Sequence, residues 1–157
     1  MKSRLRQLFE PFVLDTAMTA RALLTPVAFG AHAMVFDRNG RVLLARHSYH
    51  SVLGFPGGGV AGGEPPEQAV LRELREELGG MRSDPPVLVG LYTRRVGWVT
   101  NLIALYRLMN AEVDFRPNLE VREIVFVDPA DPPSGIGSGT ARRLAEHVSQ
   151  SPPSPYW

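Results

Sequence analysis

The residues of this 157-residue chain best suited to chemistry lie in one window, "GFPGGGVAGGEPPEQAVLRELREELGG" from Gly54 to Gly80. Its second half concentrates Glu73, Glu76 and Glu77 in a segment, Pro66 to Leu78, that reads as a helix. At about 100° per residue, Glu77 falls about 40° to one side of Glu73 and Glu76 about 60° to the other. The three carboxylates share one arc. Val70, Leu71, Leu74 and Leu78 fill the adjoining arc, so the acids border the buried stripe. Like charges at these spacings repel, and partial burial raises the cost by pushing carboxylate pKa values upward. A divalent cation removes the conflict, and an all-oxygen donor set selects a hard one, Mg²⁺ or Mn²⁺. The competing reading is a solvated Glu/Arg face with Arg72 and Glu76 paired four residues apart.

The glycines before the helix bear on that choice. Gly57, Gly58 and Gly59 let backbone come close to a phosphate or a metal. Gly57, Gly59 and Gly62 also spell G-x-G-x-x-G, the letters of a dinucleotide fingerprint. That fingerprint needs a strand running through the loop directly into a helix. Here Gly63, Glu64, Pro65 and Pro66 intervene, and the acids lie inside the helix. The dinucleotide reading fails.

The spacing as a whole does fit a pattern. Gly58 is followed by Glu64, then Arg72-Glu73-Leu74, Glu76-Glu77 and Gly79. This resembles the Nudix box, G-x5-E-x7-R-E-U-x-E-E-x-G-U with U a bulky aliphatic, and eight of nine specified positions match. Gly80 replaces the final aliphatic residue, and Met81 is the candidate to take its packing role. At the helix entry Pro65 stands where the family usually has a Ser or Thr cap, which predicts a weaker start. Leu53 holds a place that is often tryptophan.

The resemblance implies hydrolysis of a nucleoside diphosphate linked to a further group X, with Mg²⁺ or Mn²⁺. It implies metal ligation by Glu73, Glu76 and Glu77 and a carbonyl from the Gly57–Gly58 loop, Gly57 being the named candidate. Arg72 is then expected to orient the glutamates, and Glu64 to tie the loop to the helix start. Glu76, Glu77, Arg72 and Glu120 form the candidate catalytic set, Glu120 as an extra ligand or base on a later loop. Glu123 is a weaker candidate of the same kind. For substrate, Arg46, Arg94 and Arg95 are phosphate-binding candidates, and Tyr92, Trp98 and Tyr106 candidate base-stacking residues. Surface solvation for the charges and core packing for the aromatics are the competing explanations. His47 and His50, on the loop before the box, read as solvated or structural.

Around these residues the pattern predicts strands at "PVAFGAHAMVFD", "RVLLAR", "VLVGLYTRR", "WVTNLIALYRLM" and "EIVFVD". Asn39-Gly40 marks a tight hairpin. His47 to Glu64 reads as loop, and "TARRLAEHVSQ" as a closing helix with Thr140 as N-cap. The expected fold class is α/β (α+β), a Nudix-type α/β/α sandwich with a mixed sheet between helices. The expected organisation is an amphipathic helical segment over 1–24, the Nudix domain over 25–148, and a disordered tail over 149–157 whose prolines leave it frayed.

Composition limits the rest. Seventeen basic and sixteen acidic residues give a net charge of +1, which argues against a nucleic-acid partner on bulk charge. With no cysteine there is no thiol nucleophile or Cys-ligated zinc. No apolar run is long enough to span a bilayer, and a cytoplasmic location is expected. The amphipathic leader points to docking on the domain or to a homodimer. Two other functions compete with small-molecule hydrolysis: a catalytically silent nucleotide-binding or regulatory module, and removal of pyrophosphate from RNA 5′ ends.

Overall fold

A computed structural model describes residues 16, 18–48 and 51–157. Most of the expected leader helix, and His50, lie outside the described residues. Residues 18–24 are helical and exposed, and the chain then enters β1 (Val27–Phe36). β2 (Val42–His47), β3 (Gly57–Gly59), β5 (Val87–Val96), β6 (Val99–Leu108) and β8 (Val121–Val127) join β1 in a six-stranded mixed sheet. Its order is β5-β6-β1-β2-β8, with β3 paired to β1. β1 and β6 run parallel and the other pairs are antiparallel. Helix α1 (Pro66–Leu78) and helix α2 (Ser138–Ser149) pack on opposite faces, and β4 (Gly80–Arg82) pairs with β7 (Glu112–Asp114) beside α1. The expected sandwich with a mixed sheet is the observed fold.

A strand alternates its side chains, and the central strands β1, β2 and β6 bury apolar residues toward both faces of the sheet. Ala31, Ala33 and Val35 of β1, Leu43 and Ala45 of β2, and Ala104, Tyr106 and Leu108 of β6 face α1. There they meet Ala69, Val70, Leu74 and Leu78. Met34, Phe36, Val42, Leu44, Ile103 and Leu105 take the opposite face with Leu144 of α2. The alanines let α1 approach closely. Burying each Val or Leu contributes about 1.5–3 kcal/mol, so this stripe anchors the helix that carries the glutamates.

Local chemistry accounts for the ends of α1. Pro65 occupies the N-cap position with no side-chain cap bond, and Gly79 ends the helix at φ 73° with its N–H donating to Arg75 O. Met81 packs against the core on the α1 side, taking the role expected of it. A Cβ at Gly80 would meet Asp114 only at 4.0 Å, so space does not require glycine there.

Three expectations change and one is refined. The tight hairpin expected at Asn39-Gly40 joins β1 to β2: Gly40 N–H donates to Asp37 O, Gly40 has φ +76°, and Asp37 N–H donates to Arg41 O. That is a three-residue loop with a glycine bulge. The glycine loop contains strand β3, because β1 offers it unpaired backbone. Helix α2 begins at Ser138 with Gly137 as N-cap, and Thr140 is buried within its first turn instead of capping it.

The tail also departs from the frayed segment expected. Thr93 N–H donates to Pro155 O and Trp157 N–H to Thr93 O, both at 2.9 Å. Arg143 donates to Ser154 O and Tyr156 O, and Arg142 to Tyr156 O and Trp157 O. Prolines reduce the freedom of the undocked segment and so lower the entropic cost of docking it.

Candidate active site

Two elements bring the site together, the glycine strand β3 and helix α1. Glycine is forced by backbone at one of its positions and makes room for the Glu73 carboxylate at the next. Gly57 has φ +131°, and a Cβ there would lie 2.6 Å from His32 Cα. At Gly58 a Cβ would lie 2.5 Å from the Glu73 carboxyl carbon. One glycine admits β1 and the next admits a candidate ligand.

Arg72 organises the carboxylates. Its guanidinium donates to both oxygens of Glu64 at 3.0 Å, to Glu73 Oε1 at 2.8 Å, to Glu76 Oε2 at 3.2 Å and to Gly59 O at 2.9 Å. Glu64 also accepts the Ala61 N–H, tying the loop to the helix start. The Arg72 hydrogen bonds hold Glu64 down at about 2. The same partnership, with Glu64 first and Glu73 next, raises Arg72. Glu73 moves the other way: burial raises its pKa, against the pull of Arg72.

Glu77 has a different environment. It is 2% exposed, accepts the Gly57 N–H at 2.9 Å, and lies 2.6 Å from His47 Nε2. The Glu77 hydrogen bond raises the His47 pKa, burial opposes it, and the charges of Glu77, Glu120 and Glu73 add to the rise. His47, read from sequence as solvated or structural, is therefore part of the site. Asn118 was not singled out at all. Its amide donates to Glu77 O at 2.9 Å at the end of α1, and its Oδ1 accepts the N–H groups of Glu120 and Val121. Its turn position in "RPNLEV" was the available signal.

The donor set suits a hard cation. Glu73, Glu76 and Glu77 project from one side of α1, beside a strand whose three glycines leave no side chain in the way. Among the described residues, no three acidic or histidine side chains converge at coordinating distance. Arg72 and His47 hold carboxylate oxygens instead. Glu76, with its side chain half exposed, is the candidate ligand most free to turn away from Arg72.

The substrate candidates disperse. Arg46 is engaged by Glu123 at 2.9 Å and by Ser51 O. Arg95 donates to Gly97 O in the β5–β6 hairpin. Tyr92 is 2% exposed, with the Arg143 guanidinium 4.1 Å from its ring centroid, so no base can stack there. Tyr106 is core and Trp98 is 74% exposed at the hairpin tip. Glu120 is exposed, and its carbonyl accepts the Ser48 N–H, next to His47. Arg94 does reach a cleft: two positions from Tyr92, it shares that side of β5.

That cleft, about 480 Å³, adjoins the glycine strand on the α2 side and is lined by His32, His47, Phe55, Gly57, Arg94 and Trp157 among others. Burial lowers His32 to about 4, with the charges of His47 and Arg94 adding to the effect, so its imidazole is neutral at neutral pH. Within hydrogen-bond reach of the glycine strand, the molecule thus offers carboxylates on one side and an aromatic cleft on the other.

A family model described as "NUDIX domain" matches residues 26–145. The chain belongs to the Nudix family. It is 44% identical over 61 residues to an RNA pyrophosphohydrolase of Acinetobacter baylyi, covering 39% of this chain and 34% of that protein. It is 38% identical over 80 residues to an RNA pyrophosphohydrolase of Proteus mirabilis, with 46% of each covered. The alignments thus span between a third and a half of these relatives. In fold it is similar to a MutT Nudix hydrolase from Burkholderia pseudomallei, with TM-score 0.66, 24% identity, and 76% of this chain and 96% of that one covered.

Proposed function

We propose that the chain hydrolyses the diphosphate linkage of a nucleoside diphosphate bonded to a further group, at the Gly57–Glu77 site. The observation that carries this reading is the Arg72 fan, which gathers Glu64, Glu73, Glu76 and Gly59 O beside the glycine strand. Mg²⁺ or Mn²⁺, when bound, would supply charge neutralisation at the diphosphate and would lower the pKa of water there. Glu73, Glu76, Glu77 and the Gly57 carbonyl are the groups that would hold it. Arg72 keeps Glu73 and Glu76 aimed to one side. Glu77 fixes the glycine strand through the Gly57 N–H, and His47 clamps Glu77. Glu120, close enough for its charge to raise His47, is the candidate base outside the helix.

A hydrolysis screen with and without Mg²⁺ or Mn²⁺ tests this reading. The panel is nucleoside triphosphates, dinucleoside polyphosphates, ADP-ribose, NADH and nucleotide sugars. Turnover of at least one class that disappears with chelator is the expected result. Inactivity across the panel, with nucleotide binding retained, would leave the silent binding module.

The curated relatives support a second reading, action on RNA 5′ ends, since both are named RNA pyrophosphohydrolases. The near-neutral charge weighs against it. Release of pyrophosphate from 5′-triphosphate RNA, faster than from any free nucleotide, would establish it over the first.

A further inference from the structure

We propose that Trp157, carried by the segment that follows α2, is a substrate-binding residue: its indole is the wall of the cleft against which the planar base of a nucleoside diphosphate compound packs. The inference rests on the reading of the Gly57–Glu77 region as a diphosphate site, and it adds where the base of that substrate goes.

Position is the first support. Trp157 lines the same cleft as Gly57 and His47, so a ligand with its phosphates at the glycine strand has this cleft beside it. The cleft retains about 480 Å³ with the indole in place, within the roughly 300–1,000 Å³ typical of small-molecule sites. Trp157 is therefore a wall and not a plug. It is partly exposed, whereas Phe55 and Tyr92 beside it are 3% and 2% exposed, and Trp98, at the β5–β6 hairpin tip, is not among the residues lining the cleft. Among the large aromatics lining the cleft, Phe55 and Trp157, it is the one with surface left to offer.

Pre-organisation is the second. The indole packs edge-on against Phe55 and Tyr92, at 6.3 and 5.9 Å between ring centroids, and lies 5.8 Å from His32. Its Nε1 lies where a Cβ at Gly139 would be, so only glycine at 139 admits it. The backbone of 154–157 is fastened by Thr93, Arg142 and Arg143. An aromatic side chain held this firmly binds without a large ordering cost. Chemistry names the ligand class: an aromatic wall for a π-face, with the Arg94 guanidinium and Asn101 amide lining the same cleft for polar edges.

The chain has two tryptophans, so a W98F variant leaves Trp157 as the sole indole reporter. That protein would be titrated with Mg²⁺ and again in chelator, using ADP, GDP and UDP, with inorganic pyrophosphate as the base-free control. The expected result is saturable quenching of Trp157 by a nucleoside diphosphate and none by pyrophosphate. W157A should weaken that nucleotide roughly 10-fold or more, while W157F holds it within a few-fold and pyrophosphate affinity is unchanged. G139A, which keeps the indole but removes its seat, should behave like W157A and covers the case in which W157A does not fold.

Nucleotide binding that leaves Trp157 emission unchanged would overturn the proposal. So would nucleotide binding unaffected by W157A and G139A, or tightened by W157A as expected of a plug. No binding of any nucleotide would sink this inference and the diphosphate reading together. Quenching without metal-dependent hydrolysis would sink only the hydrolytic reading.

Discussion

Against α1 the sheet presents Ala31, Ala33, Val35 and Leu43, and the helix answers with Ala69, Val70, Leu74 and Leu78. Against α2 it presents larger side chains, Met34, Phe36, Leu105 and Tyr92, and the helix answers with Leu144 and a buried arginine. The first face is held by apolar contact, and most of its polar groups come from one stretch of chain, Gly57 to Glu77, with His47 and Asn118 joining from elsewhere. The second is held partly by charge. Its cleft collects residues from positions 32 to 157, and its closing segment is fastened to α2 and β5. A site built along one helix survives changes in distant loops. A cleft assembled from the whole chain is where relatives of one fold can differ in what they accept.

Substitutions on each face should break this contrast in different ways. G57A drives a Cβ into the backbone of β1 at a positive φ, so it should destabilise most, by about 3 kcal/mol or more, measured by urea unfolding. A G57A protein as stable as wild type would mean that β3 does not sit against β1.

On the α2 face, R143A removes a guanidinium that holds Glu146 at 2.8 Å, the tail carbonyls and the Tyr92 ring. It should cost about 3–5 kcal/mol, because the largely buried Glu146 loses its cationic partner and keeps only the Ser154 N–H. R143M should cost less when combined with E146Q than alone, the signature of an ionic anchor. L74A on the α1 face should cost about 2–5 kcal/mol, and no charge substitution nearby should relieve it.

The smallest effect concerns pH. Glu64 titrates at about 2 in the folded chain, against 4.5 for an unperturbed glutamate. The folded form therefore favours the ionised group, and its contribution is fully present above pH 4.5 and lost as pH falls toward 2. The stability difference between wild type and E64Q should be constant from neutral pH to about 4.5 and shrink below it. A difference that grows on acidification would contradict the Glu64–Arg72 pairing.

The α1 face was readable in advance for a physical reason. Helical periodicity alone puts Glu73, Glu76 and Glu77 together, and the Arg72 and Glu64 roles depend on residues within that same window. Strand boundaries followed from apolar runs ended by turn residues. What stayed hidden required partners far apart in sequence. Nothing near His47 announces Glu77, 30 residues on. Asn118 meets α1 about forty residues away. Tyr92 looks the same from sequence whether it faces solvent or Arg143. The prolines near Trp157 signal disorder or an extended docked segment equally well, and only the edge of β5 decides between them.

The central claim is that the carboxylates of α1 do metal-dependent chemistry, and Glu76 isolates it best. Its side chain is half exposed and, among the described residues, bonds only to Arg72, whereas Glu77 also holds the glycine strand in place. The decisive measurement is turnover of the preferred substrate under saturating Mg²⁺ by wild type and E76Q, with thermal melts of both. The account predicts a loss of roughly 100-fold or more in kcat, as expected when about 3 kcal/mol of metal-supplied stabilisation is removed, with the melting temperature nearly unchanged. Undiminished turnover by a folded E76Q protein would contradict it.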